Sequence, residues 1–388
     1  MAATCAPAQI EVSKEEARRF VWTPAWKALA LTLGLRVFYS ALAAWFAPGL
    51  RLDPRLIQSN ALTGNLMSRD AHPVLYALLG VWQRFDALWY SHIAACGYDR
   101  PETIVFYPFF PTLIRMVSWI TGSELAAVVL ICTLATFFML WGAMRLFELD
   151  LDGVTSFRAV LIWMAMPGAF TFFAGYPDSL MVALMVWSIY FARSGQWRWA
   201  GTLGFLAGLT KALGCFVALP LIWIGWRRRE RWSVASAAIC VAGVAGFQLW
   251  LAANHFPPVT EVYQKYWATS TVTPWTTVAD VVRSLREQPD LKLILNCVAL
   301  SGIAGLAFSR RIRVEYHLFA VAAIGLLLTK HTDPLLQSTI RYSWSVFPAF
   351  PAVATRCNRG LGLVTLMIFL VGLNIVLLRV FLNWGLVV

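Results

Sequence analysis

Ten apolar stretches divide this chain, the last of them LGLVTLMIFLVGLNIVLLRVFLNW over 361–384. A helix needs about 20 such residues to cross a hydrocarbon layer about 30 Å thick, and in that layer every backbone amide must be bonded internally. The other runs are 26–47, 124–147, 157–175, 179–193, 199–226, 232–253, 291–308, 315–330 and 342–356. They are continuous rather than alternating, which predicts helices instead of barrel strands. With 13% charged residues against 59% hydrophobic, the chain could not cover a soluble surface. The expected fold is an all-α polytopic membrane bundle of about eleven transmembrane helices.

The net charge of +12 serves first as a topology signal, because Lys and Arg collect in cytoplasmic loops and near anionic headgroups. Nucleic acid is therefore not an expected partner, whereas membrane lipids are. Residues 1–25 are too polar, and too long before the first apolar run, for a cleaved signal. They are expected on the cytoplasmic side, held by Lys14, Arg18 and Arg19. Residues 26–388 then form a single transmembrane domain, with 48–123 as its first extracytoplasmic loop.

Two segments decide the threading. If 107–121 spans and 199–226 is one helix, Arg145, Arg158, Arg193 and Arg198 lie outside. If 107–121 lies on the surface and 199–226 folds back near Lys211, all four lie inside. They then join RRRER (227–231), SRRIR (309–313), Arg356 and Arg359, so the positive-inside rule favours this second arrangement. It puts the 48–123 loop, the turn GYPDS (175–179), the 254–290 loop and KHTDPLLQSTIRY (330–342) on one outer face. Asp86, Asp178, Lys211, Lys330, His331, Asp333 and Arg341 are expected to converge there. No internal repeat or low-complexity tract is visible.

Asp86 stands among bulky aromatics in RFDALWYSHIAACGY, whose Phe85, Leu88, Trp89, His92 and Ile93 recur at helical spacing. This predicts an amphipathic interfacial helix carrying a carboxylate suited to proton transfer, with Arg84 as its structural ion-pair partner. FYPFFP (106–111) reads as a headgroup-belt anchor or a site wall that includes Tyr107. Asp178 precedes SLMVALMVW, where it can cap a helix and serve a site at once. Lys211 interrupts GLTKALG and needs an anion or a route to the surface. Arg341 and Tyr342 open RYSWSVFPAFP, and a guanidinium there can clamp a phosphate or anchor to headgroups. Arg36, in the middle of the first span, should pair inside the bundle with a carboxylate or phosphate.

The seven cysteines (Cys5, Cys96, Cys132, Cys215, Cys240, Cys297 and Cys357) are scattered singly, with no CxxC and no Cys/His pair at zinc spacing. His92, His255, His317 and His331 show no ligand spacing either, so no protein-built metal site is expected. The one cofactor compatible with these residues is a weakly held divalent cation bridging carboxylate and phosphate.

WQRFDALWYSHIAACGY followed by FYPFFP, then FFAGYPDSL, AGLTKALG and IRYSWSVFP, together resemble the PIG-V-like mannosyltransferases and their bacterial relatives (the GPI mannosyltransferase II-like family) within the GT-C class of membrane glycosyltransferases. The motifs occur in the family's order over roughly residues 80–350. The chain departs from it at Tyr176-Pro177-Asp178-Ser179, where Tyr-Thr-Glu-Ser is usual, and at Lys211, where Arg is usual. The resemblance implies a GT-C fold and a hexosyl donor, mannose above all, carried on a polyprenyl or dolichyl phosphate. The acceptor would be a lipid, glycan or protein, and transfer would invert configuration. It implies Asp86 as general base and Asp178 as a second catalytic carboxylate. Arg84, Trp89, Tyr90, Tyr107, Lys211, Arg341 and Tyr342 would bind substrate. A bacterial inner membrane, or the endoplasmic reticulum in a eukaryote, would house such an enzyme. A lipid-linked sugar transporter, a polyprenol-linked sugar polymerase or ligase, and an inactive subunit of a glycan-assembly complex are the alternatives.

Overall fold

The computed structural model describes residues 14–50, 62, 66–310, 312–356 and 360–385, with side chains from residue 24 onward. Residues 1–13 of the expected N-terminal segment, parts of the first loop (51–61 and 63–65), Arg311, Cys357 and Arg359 lie outside the described residues, as do the side chains of Lys14, Arg18 and Arg19.

The chain is overwhelmingly helical. α1 (Lys14–Phe46) leads to the first loop, which holds α2 (Pro73–Leu78), α3 (Asp86–Cys96) and α4 (Phe109–Thr121). α5 (Glu124–Phe147) and α6 (Gly153–Ala165) precede the GYPDS turn. α7 (Asp178–Arg193), α8 (Trp197–Thr210), α9 (Ala218–Arg228) and α10 (Trp232–Ala253) follow it. The 254–290 loop contains α11 (Val259–Trp267), β1 (Thr269–Thr271) and α12 (Pro274–Glu287). The chain closes with α13 (Leu291–Ala307), α14 (Val314–Thr329), β2 (Lys330–Thr332), α15 (Thr339–Ser343), α16 (Phe350–Arg356) and α17 (Leu361–Leu382).

Four helical stretches are long and apolar enough to cross a membrane: Pro24–Gly49, Glu124–Phe147, Trp232–Ala253 and Leu361–Leu382. Several other expected spans are broken. The 157–175 run is α6, a stop at Met166-Pro167-Gly168, and a 3-10 turn over Ala169–Phe173. The 342–356 run divides among the end of α15, a 3-10 turn and α16. Proline lacks an amide hydrogen and disfavours helix in the residue before it, so Pro167 and Pro348 interrupt runs that hydropathy alone reads as continuous.

The fold-back near Lys211 is present. α8 and α10 run parallel, since Gly201 lies against Ser236 and Gly208 against Cys240 and Val244. Two parallel neighbours require a return strand of chain between them, and the extended residue Lys211, a 3-10 turn over Ala212–Val217 and α9 supply it. The basic helix ends consequently meet on one face. Arg193 bonds Asp150 and, at 3.2 Å, the Tyr316 hydroxyl. Arg228 Nη1 donates to the Arg193 carbonyl at 2.7 Å, and Arg313 Nη1 reaches Asp150 at 3.3 Å. Arg145 donates to Tyr190, and Arg158 to the Ala354 carbonyl, on that same face.

α4 is 13 residues long, about 20 Å and too short to span. It buries Phe110, Pro111 and Ile114 and exposes Met116, Trp119 and Ile120, as a helix lying along an interface should. The apolar residues of α3 pack inward: Ala87, Leu88, Trp89, Tyr90, Ile93 and Ala94 are all buried within the protein. Its aromatic neighbours are satisfied by one another rather than by headgroups. Arg36 departs from the expected pairing, because no carboxylate reaches it. Its Nε donates to Thr133 Oγ1 at 2.9 Å and its Nη2 to the Val129 and Phe173 carbonyls at 3.1 Å. The Phe173 carbonyl, at the end of the 169–173 turn, and the Val129 carbonyl, within α5, solvate the guanidinium without a counter-charge among the described residues.

Candidate active site

Opposite the basic face, four charged side chains form one chain of contacts. Asp86 Oδ2 lies 3.1 Å from Arg341 Nη2, Arg341 Nε lies 3.8 Å from Asp178 Oδ2, and Lys211 Nζ donates to Asp178 Oδ1 at 2.9 Å. Asp178 and Arg341 are buried, whereas the Asp86 side chain keeps 26% exposure and Lys211 21%. The exposed carboxylate is thus held by a buried cation, and the exposed amine by a buried carboxylate.

Aromatic rings surround the chain. Arg341 sits 4.5 Å over the Tyr176 ring and 4.6 Å over Tyr342, and its Nη2 donates to the Tyr342 hydroxyl at 2.7 Å. Lys211 lies 4.2 Å over the other side of this arrangement, on Tyr342. Lys330 approaches Tyr342 at 5.5 Å and Tyr263 at 5.3 Å. Such ring faces favour a desolvated cation. Tyr176, Tyr263 and Lys330 stand outside the site residues drawn from the motifs; Tyr176 was legible only as part of GYPDS, and Tyr263 not at all. Tyr263 arrives because β1 pairs antiparallel with β2, matching Thr271 to Lys330, and so sews the 254–290 loop to the 330–342 segment. Burial holds the Tyr263 hydroxyl above its ordinary pKa, and burial together with Asp86 and Asp178 does the same, more strongly, to Tyr90. Both are protonated donors at neutral pH.

Each charged arm is aimed by local backbone. Phe85, just before Asp86, has φ 49, a left-handed conformation costing about 1–3 kcal/mol for a non-glycine residue. Its ring is wedged between Phe381 and Trp384 at the end of α17. The neighbouring Arg84 is buried, donates to the Leu382 carbonyl at 3.1 Å and the Tyr76 hydroxyl at 3.1 Å, and stacks on Trp384 at 4.8 Å. Arg84 therefore clasps the end of α17 instead of pairing with Asp86, whose partner is Arg341. Arg341 rides on the five-residue α15, fixed by the Ile340 amide donating to Asn296 Oδ1 at 2.9 Å and by Trp344 Nε1 donating to the Pro167 carbonyl at 2.7 Å.

Asp178 does not cap. It is the first residue of α7, after the N-cap position held by Pro177, and its carboxylate turns to Lys211. The two carboxylate-bearing segments meet because Gly175 has φ 81 and no side chain. A Cβ at that position would come within 2.9 Å of both Ala87 Cβ and Val128 Cγ1. Gly175→Ala is expected to cost on the order of 2 kcal/mol or more in stability by separating α3 from the turn, and at least about tenfold in any activity that depends on this site. Thermal melting together with a rate assay checks this.

Trp89 and Tyr107 are packed rather than presented. Trp89 stacks on Phe106 at 5.8 Å and meets Trp267 edge-on, while Tyr107 contacts Phe247 and accepts a 3.4 Å bond from Gln248. They form the wall of aromatic side chains beside Tyr90. His331 pairs with Asp280 at 3.3 Å and Asp333 is exposed, so neither joins the chain of charges.

The architecture is an all-α polytopic membrane fold. It is similar to the crystal structure of ArnT from Cupriavidus metallidurans bound to undecaprenyl phosphate, with a TM-score of 0.50 and 12% identity over 91% of this chain and 77% of that one. ArnT from the same organism in its apo state gives a TM-score of 0.49 at 12% identity, covering 78% of this chain and 71% of that one. At such identity the likeness is one of fold. No protein-family profile matches the chain, and no curated protein does.

Proposed function

We propose that this protein is a membrane glycosyltransferase moving a hexose, mannose by its motifs, from a polyprenyl-phosphate carrier to an extracytoplasmic hydroxyl with inversion. The observation carrying this reading is the Asp86–Arg341–Asp178–Lys211 chain, with its one part-exposed carboxylate beside a buried guanidinium. Lys211, Lys330 and Arg341 against Asp86 and Asp178 leave one net positive charge. A polyprenyl-phospho-sugar is a phosphodiester and carries one negative charge. The fold shared with ArnT, whose structure holds undecaprenyl phosphate, supports a carrier of that class.

In this reading Asp86 takes the proton of the acceptor hydroxyl as its oxygen attacks the anomeric carbon. The bond from that carbon to the phosphate oxygen breaks on the opposite face, and the carrier leaves as a phosphate monoester. Arg341 and Lys211 meet the charge growing on the departing oxygen, in a setting where burial strengthens the interaction. Tyr90 and Tyr263, protonated, donate to sugar or phosphate oxygens. Asp178 holds both cations in place and is a positioning residue. The buried atoms Tyr176 Oη, Asp178 Oδ2 and Arg341 Nε have no hydrogen-bond partner within the described residues, which suits a polar substrate that brings its own.

The test is transfer of label from polyprenyl-phosphate mannose in membranes containing the protein. Labelled product dependent on the protein is expected. Transfer from a different polyprenyl-phosphate sugar instead would reassign the hexose, and no transfer from any such donor across a panel of acceptors would refute the enzyme reading.

A further inference from the structure

The far end of α3 carries a second group of chemically active side chains, remote in role from Asp86. His92 and Cys96 are four residues apart and so share one face of the helix. Gly97, at φ 78, ends α3 with its amide bonded to the Ile93 carbonyl at 2.8 Å and turns the chain back. That reversal brings Asp99 onto the same side, its Oδ1 2.7 Å from His92 Nε2. The ligand atoms of His92, Cys96 and Asp99 all lie within 4.8 Å of one another.

We propose that His92, Cys96 and Asp99 bind a divalent ion of the zinc class on the outer face of the protein. A tetrahedral ion with bonds of about 2.0–2.3 Å holds its ligand atoms about 3.3–3.8 Å apart. The observed separations, 2.7 Å between His92 and Asp99 and none above 4.8 Å, bracket that spacing. One imidazole, one thiolate and one carboxylate are a borderline-soft set that favours zinc, and its mimic cobalt, over magnesium or calcium. Water fills the fourth position. Cys96 and Asp99 are exposed and His92 is half-buried, so the ion has a direct approach from solvent. Arg100 Nε, 3.7 Å from Asp99 Oδ2, steadies the carboxylate oxygen that does not bind. Binding replaces the His92–Asp99 contact and releases the Cys96 thiol proton to solvent. The ion staples the last turn of α3 to the following loop, and its capture does not depend on the transferase reading.

Motif spacing alone does not disclose this group, for two reasons. The spacing is the helical one, four residues, rather than the two of a CxxC knuckle. The third ligand joins only through the Gly97 turn.

Titration of the full-length protein in detergent with Co²⁺ tests the site, because a thiolate ligand produces a sulfur-to-cobalt charge-transfer band. The expected result is a band saturating at one ion per chain, displaced by Zn²⁺, abolished by Cys96→Ser and shifted at least about tenfold in affinity by His92→Ala. No band in the wild-type protein overturns the proposal, and that outcome needs no variant to fold. A band that survives Cys96→Ser, or an affinity within twofold after His92→Ala, overturns it equally.

Discussion

Asp86→Asn is expected to lower the rate of sugar transfer about 10²–10⁴-fold, the usual contribution of a positioned general base. The amide matches the carboxylate in size, so the site keeps its shape while losing the group that accepts the proton. The effect should fall on kcat, while KM for the lipid-linked donor falls, because in the proposed reaction the phosphate meets an Arg341 freed of its carboxylate competitor. Stability should change little. Asp86 is one-quarter exposed, and Arg341 retains Asp178 3.8 Å away and the Tyr342 hydroxyl at 2.7 Å. Single-turnover transfer and a melting curve on the same preparation separate the two effects. A rate within threefold of wild type would mean that another group takes the proton and that Asp86 serves only as a counter-ion.

Arg341→Lys should be nearly as damaging, for a different reason. One guanidinium meets Asp86, lies near Asp178 and donates to Tyr342, while its face stacks between two tyrosine rings. An ammonium keeps the charge but lacks the planar fork, so it cannot make these contacts together. Loss of a donor aimed at developing phosphate charge is expected to cost about 10²–10³-fold in kcat. Arg341→Ala removes the charge as well and leaves the fully buried Asp178 with Lys211 alone, which breaking a buried pair predicts to cost about 3–5 kcal/mol. The alanine variant therefore tests stability and the lysine variant tests the reaction. A lysine variant with wild-type turnover would confine Arg341 to a structural role.

What the sequence disclosed was mostly what stood out against an apolar background. Asp86, Asp178, Lys211 and Arg341 were conspicuous because charge within hydrophobic surroundings is rare, and the positive-inside rule turned that rarity into a shared face. The reversal at Lys211 was legible for the same reason, through arginines far from it. Partner choice was not legible. Arg84 adjoins Asp86 in sequence, yet the left-handed Phe85 throws the two side chains apart, and Arg84 bonds the Tyr76 hydroxyl and, 298 residues away, the Leu382 carbonyl. Asp178 has the sequence of a cap but lies opposite an amine that no local pattern reveals. Nor did the motifs show that Trp89 packs on Trp267 and Tyr107 on Phe247, neighbours far along the chain.

The mutual neutralisation of carboxylates and cations bears on how such a site completes a cycle. Three bare cations in a dry cleft would hold a lipid phosphate monoester, the more highly charged product, tighter than the diester that entered. With Asp86 and Asp178 already beside Arg341 and Lys211, every departing phosphate meets a resident competitor ready to reclaim the vacated cation. In the proposed cycle the carboxylates then act as an internal eluent, trading some affinity for release, and the buried Arg341 rests with counter-charges already in reach.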